Sequence, residues 1–325
     1  MTARPDPDLV YGLFWGALKP QCARLALELG VFAALADGPR SAAEVAAAGG
    51  ADPAGVALLL DYLVSLKILE GRDSLYALTP TAAHFLLPGR PAFGGDLVLD
   101  YAGPEFYPRL RAAVLSGQPA VLKGDFVQDA WLESYSPRRP ASALDLWRTV
   151  GVLPAPPRPV RVLDVACGCA IKTLTLAQAA PQVRVTGVDT PAVLAVAHDL
   201  ARRLNVQDRV DFRAGDLHQF DFGQAACDVV LLGQITHYLC PDQNRALLAR
   251  LARALSAEGV LVIDCPMPPE AGQTEATSLL SLFTWAEAGG RVHAFAQYQA
   301  WLAEAGFTRI VRHTERWLSA HRRAP

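Results

Sequence analysis

The chain lacks a dominant charge of either sign: its 30 basic and 32 acidic side chains nearly cancel over 325 residues. No overall field would draw it to nucleic acid or to anionic lipid. It also lacks any apolar run near the ~18 residues that span a bilayer. The opening MTARPDPDLV is polar, without the apolar centre of a secretory signal. These absences predict a cytoplasmic protein with no membrane and no nucleic-acid partner. The six cysteines (Cys22, Cys167, Cys169, Cys227, Cys240 and Cys265) are scattered through apolar segments. None shows the two-residue spacing of a zinc knuckle, and Cys167-x-Cys169 is tighter than that pattern. They read as buried, reduced thiols. No pair of histidines with an acid has metal-site spacing, so no metal is expected. No Gly-Lys-Ser/Thr follows a glycine-rich turn, which excludes a P-loop.

What is present is ample apolar material, 51% of residues, enough for globular cores and well outside the disordered range. The length suggests two domains. Residues 9–36 read as a helix from Leu13, Leu18, Leu25, Leu29 and Phe32, ending at Asp37-Gly38-Pro39. Ser41 with Glu44 forms a capping box for a short helix that Gly49-Gly50 stops. Asp52 with Pro53 starts another, to about Leu69. A β-like run, LYALTP (75–80), follows. Three helices and then a small hairpin is the order of a winged helix.

Residues 81–150 read as mostly helical and carry Phe93, Tyr101, Phe106, Tyr107, Phe126, Trp131, Tyr135 and Trp147. Core packing and a substrate-pocket wall are both open for these rings. LPAPPRP (153–159) is the clearest boundary. The division expected is a winged-helix-like domain over 1–90, a helical connector that could contribute to a pocket over 91–152, and an α/β domain over 153–325. Beyond the prolines, VRVLDVA (160–166), VRVTGVD (183–189), RVDFRAG (209–215), CDVVLLG (227–233) and GVLVIDC (259–265) alternate with helical stretches at about 171–180, 191–204 and 242–255. This alternation predicts a parallel, doubly wound α/β sheet, buried on both faces. A late helix (295–307) and two further strands (307–318) complete it.

Three acids fall at successive strand tips: Asp164 in DVACGCA, Asp189 at the end of VRVTGVD, and Asp216 in AGD. The carboxyl edge of such a sheet is where ligands bind, and an acid ending the second strand suits ribose hydroxyls. Each acid alone could equally be a helix cap. Only Gly168 remains of the three glycines that cradle a pyrophosphate, which argues against a nicotinamide dinucleotide. Ala166 fits the turn where its φ stays negative.

VLDVACGCA, VTGVD, AGD and CDVVLLGQITHYL together resemble the successive motifs of class I S-adenosylmethionine (SAM)-dependent methyltransferases. More narrowly, the chain resembles the small-molecule O-methyltransferase family, which includes plant caffeate-type and bacterial polyketide enzymes. Residues 25–70 and LYALTP resemble its N-terminal dimerisation domain, and 289–307 its late helix. The resemblance implies a Rossmann-like catalytic domain, a homodimer, SAM as methyl donor and a small hydroxylated, aromatic or polyketide-like acceptor. It places Asp164, Ala166 and Gly168 along the methionine part of SAM, Asp189 at the ribose, and Asp216 and Leu217 at the adenine. Cys169 and Ala170 stand where the family is usually glycine-rich.

The resemblance also makes His237 the base that takes the acceptor proton, with Asp264 pairing to orient it. A neutral imidazole suits that task near neutral pH. A second family acid falls at the position of Val292, next to His293, which could approach the substrate. Met267, Phe283, Trp285 and Phe295 are candidates for pocket walls or for plain packing. The alternatives are a SAM-binding protein with non-methylating chemistry and a DNA-binding regulator. The second is weak, because the stretch 52–67, which would be the recognition helix, carries Lys67 as its one basic residue.

Overall fold

The computed structural model describes residues 6–90, 93–104, 106–120 and 139–322. Phe126, Trp131 and Tyr135 lie outside the described residues. The chain divides into two compact units, Met1–Pro108 and Arg109–Pro325.

In the first unit, helix α1 (Pro7–Glu28) starts on Asp6, whose carboxylate accepts the Asp8 N–H. The single helix expected over 9–36 is broken: Gly30 sits at φ +68°, and a one-turn α2 (Val31–Ala34) follows. A left-handed residue cannot continue a right-handed helix, and glycine takes that φ without steric cost. Strand β1 (Arg40–Ser41) leads into α3 (Ala42–Gly49) through the expected capping box. The Ser41 N–H donates to the Glu44 carboxylate at 2.8 Å, and Gly50 closes the helix at φ +63°. Helix α4 (Pro53–Ser65) stops before the expected Leu69 because Lys67 turns to φ +58° and Leu69 enters a strand. That strand, β2 (Leu69–Arg72), pairs antiparallel with β3 (Leu75–Leu78), which pairs with β1 on its other side. Phe32, Val45, Leu60, Leu63 and Leu69 fill the core. Two short helices, α5 (Pro80–Phe85) and α6 (Gly95–Tyr101), follow. Among the described residues no single helix is long and apolar enough to cross a membrane.

The second unit is built on a seven-stranded sheet. Helices α7 (Phe106–Ser116) and α8 (Arg139–Thr149) precede it. Trp147 of α8 is fully buried and its indole N–H donates to the Lys172 carbonyl at 2.7 Å, so packing explains this ring. Parallel strands β4 (Val160–Val165), β5 (Val183–Asp189), β6 (Val210–Ala214), β7 (Cys227–Gly233) and β8 (Leu255–Asp264) are followed by β9 (Arg309–Arg312) and β10 (Trp317–His321). The order is β6-β5-β4-β7-β8-β10-β9, with β10 antiparallel to both of its neighbours. Helices α9 (Ile171–Ala179), α10 (Pro191–Arg203) and α11 (Pro241–Ala254) connect the parallel strands. This is the doubly wound α/β sheet, preceded by a mainly helical unit, that the sequence predicts. Two apolar clusters cover the two faces, one through Val162, Leu174, Val185 and Leu231, the other through Leu163, Val230, Leu248 and Ile263. Period-two burial on both faces is why each strand reads as nearly continuous apolar sequence. The strand order reverses between β4 and β7, which opens a crevice at their carboxyl ends.

After β8 comes helix α12 (Glu275–Ala288), which the sequence reading does not anticipate. Its apolar residues spread round the helix, and Leu279 and Leu282 are exposed. The expected late helix is α13 (Phe295–Glu304), ended by Gly306 at φ +90°.

Candidate active site

The residues singled out from the sequence come from the carboxyl ends of β4 to β8. Asp164, near the end of β4, is buried, and its carboxylate accepts the Thr173 hydroxyl at 2.6 Å. The turn after β4 contains three left-handed residues: Ala166 at φ +53°, Gly168 at +57° and Ala170 at +56°. The negative φ expected for Ala166 is therefore corrected. An L-residue in this region costs about 1–2 kcal/mol, because Cβ crowds the following carbonyl. The cost is offset by fixed contacts: the Cys167 N–H donates to the Val188 carbonyl at 3.1 Å, and the Gly168 N–H to the Asp189 carboxylate at 2.9 Å. Strain held in this way gathers at ligand-binding turns. A Cβ added to Gly168 would meet nothing within 4 Å, so one side of the turn is open.

Asp189 ends β5 half-buried. Burial raises its pKa, opposed by hydrogen bonds from the Gly168 and Thr190 N–H groups. Asp216 is exposed just beyond β6 and accepts the His218 N–H at 2.8 Å. Leu217 is half-buried against the core, and its carbonyl accepts from Arg250 at 2.7 Å. Asp189 and the strained turn are thus bonded to each other, whereas Asp216 bonds within its own turn. Small residues at 166 and 168, with acids on the two neighbouring strand tips, fit an uncharged-ribose, phosphate-free nucleoside such as that of SAM.

His237 lies in a one-turn helix, Thr236–Tyr238, just after β7. It is buried, and its pKa is lowered to about 4, chiefly by burial and then by the Arg316 charge; the Asp264 and Glu287 charges act in the opposite direction. Asp264 closes β8, also buried, but it does not hydrogen-bond the imidazole. Its carboxylate lies 3.3 Å from Lys172 Nζ and 3.4 Å from the Arg316 guanidinium, and Gln234 donates to its main-chain carbonyl at 2.9 Å. The expected Asp264–His237 pairing is corrected: two cations hold the carboxylate, and it acts on the ring through its charge alone. The atom facing His237 Nδ1 is instead Cys265 Sγ, at 2.8 Å.

His293 is corrected as well. It is fully buried, with Nε2 at 3.0 Å from the Leu239 carbonyl and 3.1 Å from Asn244 Nδ2. Asn244 also donates to the Thr236 and Leu239 carbonyls, so this pair braces the turn that carries His237. Met267 is buried in the core and Phe295 packs against it, so packing explains both. Glu287 is the residue that sequence reasoning misses: a buried carboxylate in the last turn of α12 whose charge reaches His237. An acid inside the apolar FTWAEA stretch was the available signal.

A family model described as a methyltransferase domain matches residues 162–259, and one described as an O-methyltransferase dimerisation domain matches 11–88. The chain is 30% identical to 3-hydroxy-5-methyl-1-naphthoate 3-O-methyltransferase of Streptomyces sahachiroi, over 94% of this chain and 90% of that protein. The chain belongs to the O-methyltransferase family. It is similarly 31% identical to acetylserotonin O-methyltransferase of Bos taurus, over 90% of each. The crystal structure of human N-acetylserotonin methyltransferase with SAM shares the fold, with TM-score 0.78, 21% identity and 99% of each chain covered. The protein is a SAM-dependent methyltransferase, and SAM is its cofactor.

Proposed function

We propose that this O-methyltransferase methylates a hydroxyl of a small aromatic or polyketide-type molecule, with His237 accepting the hydroxyl proton. The observation that carries the reading is the buried, neutral imidazole held rigidly beside the carboxyl edge. SAM supplies a methyl group on a sulfonium, which is itself the leaving group. Asp164, Ala166 and Gly168 would hold its methionine part, Asp189 its ribose, and Asp216 with Leu217 its adenine. His237 takes the proton as the acceptor oxygen becomes nucleophilic, a contribution of ~10²–10⁴ in rate. Asp264 favours the resulting imidazolium by charge. The naphthoate and acetylserotonin substrates named for the two relatives support an aromatic acceptor.

The connector proposed for 91–152 borders this site through its 117–120 stretch. The Ala120 N–H donates to the Ala286 carbonyl of α12, and Pro119 lies beside Gly289. The segment 153–325 is the catalytic domain of this reading. The dimerisation-domain match and the exposed Leu9, Val10, Tyr11 and Leu13 of α1 support a homodimer formed through residues 1–90. A cytoplasmic location suits the diffusible substrates this reading assigns. The test is incubation with methyl-labelled SAM and a panel of phenols. Label should pass to a phenol in the wild type and not in His237→Ala. SAM binding without transfer to any acceptor would favour non-methylating chemistry.

A further inference from the structure

We propose that the Cys265 sulfur, rather than a carboxylate, fixes the tautomer of His237 and so acts as the positioning residue for the base. The inference rests on the reading of His237 as proton acceptor. To accept a proton at Nε2, the imidazole must carry its own proton on Nδ1. The group facing Nδ1 therefore decides whether the ring is reactive.

That group is a sulfur 2.8 Å away, closed to solvent along with the ring. None of the nearby carboxylates hydrogen-bonds the ring, and Glu287 acts on it through charge. Asp264 is held by Lys172 and Arg316, and position 292 is a buried valine. The sulfur is placed to accept. The Thr236 and Tyr298 hydroxyls lie beside it as partners for its own hydrogen. Thr236 Oγ1 and Tyr298 Oη are themselves 2.6 Å apart, giving the thiol hydrogen a hydroxyl pair to reach. The Nδ1–H can then donate to the sulfur lone pair and leave Nε2 bare.

The sulfur is also fixed in position. The Cys265 N–H donates to the Arg316 carbonyl at 2.8 Å and the Met267 N–H to the Glu315 carbonyl at 2.7 Å, which pin the segment after β8 to the chain entering β10. Burial pushes the Cys265 thiol up to about 11, so it stays protonated and neutral at working pH. The proton balance is simple. The acceptor hydroxyl gives its proton to Nε2, the imidazolium keeps its Nδ1–H on sulfur, and the thiol neither gains nor loses a proton.

The test is long-range ¹H–¹⁵N correlation of the full-length, histidine-labelled protein near neutral pH, with the His237 signals assigned by their loss in His237→Gln. The wild type should show Nδ1 protonated and Nε2 bare. Cys265→Ala should move the proton to Nε2 and lower kcat by about 10- to 100-fold, with the KM for SAM held within about twofold. Cys265→Ser, which keeps an acceptor at the site, should restore the Nδ1–H tautomer and part of kcat. A wild-type ring protonated on Nε2, or a Cys265→Ala protein with unchanged tautomer and kcat, overturns the proposal. Should the alanine variant fail to fold, the wild-type tautomer decides by itself. Methyl transfer that survives His237→Gln sinks the base assignment itself, whereas an Nε2–H ring with transfer lost in His237→Gln sinks only the role of sulfur.

Discussion

Lys172, in the first turn of α9, places its ammonium 3.3 Å from the buried carboxylate of Asp264 at the end of β8. Two elements far apart in sequence thus meet over the carboxyl edge, and the Asp264 charge reaches His237. With Arg316 also on Asp264, one anion serves two cations. Asp264→Asn would leave both cations without their counter-charge, and the Arg316 charge would act on the imidazole unopposed by Asp264. Breaking a buried pair from one side costs up to about 3–5 kcal/mol. The Arg316 side chain is half exposed, so solvent screens its share and the expected loss lies at the lower end. The variant should unfold at lower urea and turn over more slowly, because the imidazolium loses its largest favourable charge. Unchanged urea midpoint and kcat would show that the pair is energetically idle.

His237 gives the protein a pH dependence of definite sign. Its pKa falls from about 6.5 in an unfolded chain to about 4 in the folded one. Between these values the unfolded state binds more protons, so stability rises with pH through that window. The full difference corresponds to about 3 kcal/mol, present above pH ~6.5 and lost as pH falls toward 4. Urea unfolding of the wild type and His237→Gln at stepped pH isolates the contribution, since the other titrating groups are shared. The gap between the two proteins should narrow on acidification. A gap independent of pH would contradict a buried neutral ring. In the same way, the acid limb of kcat/KM should lie well below pH 6, as the free-enzyme base titrates there.

The strained turn after β4 makes a third prediction. Ala166 is half-buried and left-handed, a conformation that glycine takes without a Cβ clash. Ala166→Gly should raise stability by up to about 1 kcal/mol, the relieved strain being partly offset by a more flexible unfolded chain. Differential scanning calorimetry reads the change. A clear loss of Tm would mean that the alanine methyl makes contacts worth more than its strain.

The parts of this molecule that follow a local rule were legible in the sequence. Strand–helix alternation, the Ser41–Glu44 capping box and the acids ending β4 and β5 each depend on residues close in the chain, and each appears where expected. What escaped depends on long-range geometry. The break at Gly30 competes with a continuous apolar helical pattern. The pairing of Asp264 with Lys172 and Arg316, and of His237 with Cys265, joins positions 28 to 92 residues apart, and nothing in the spacing selects these partners over a direct Asp–His bond. Helix α12 was missed because its apolar residues form no single stripe, and Glu287 was hidden with it.

The last prediction concerns how His237 is held from the other side. Gly290 packs directly on the main chain of His237 and Tyr238, so close that a Cβ there would overlap the His237 carbonyl oxygen and the Tyr238 carbonyl carbon. Backbone atoms cannot swing aside as a side chain can, so the turn itself must move. Its other supports, the Asn244 and His293 hydrogen bonds to the Thr236 and Leu239 carbonyls, resist that movement. Gly290→Ala should therefore shift the imidazole relative to the acceptor, and displacements of about 1 Å can cost on the order of 10²-fold in rate. The atoms a Cβ at Gly290 would meet first belong to His237 and Tyr238 and not to the SAM-binding residues proposed on β4 to β6, so the dissociation constant for S-adenosylhomocysteine should stay close to that of the wild type. Calorimetric titration alongside steady-state kinetics separates the two effects. If kcat falls and the dissociation constant rises together, the glycine supports the whole fold rather than the placement of the base.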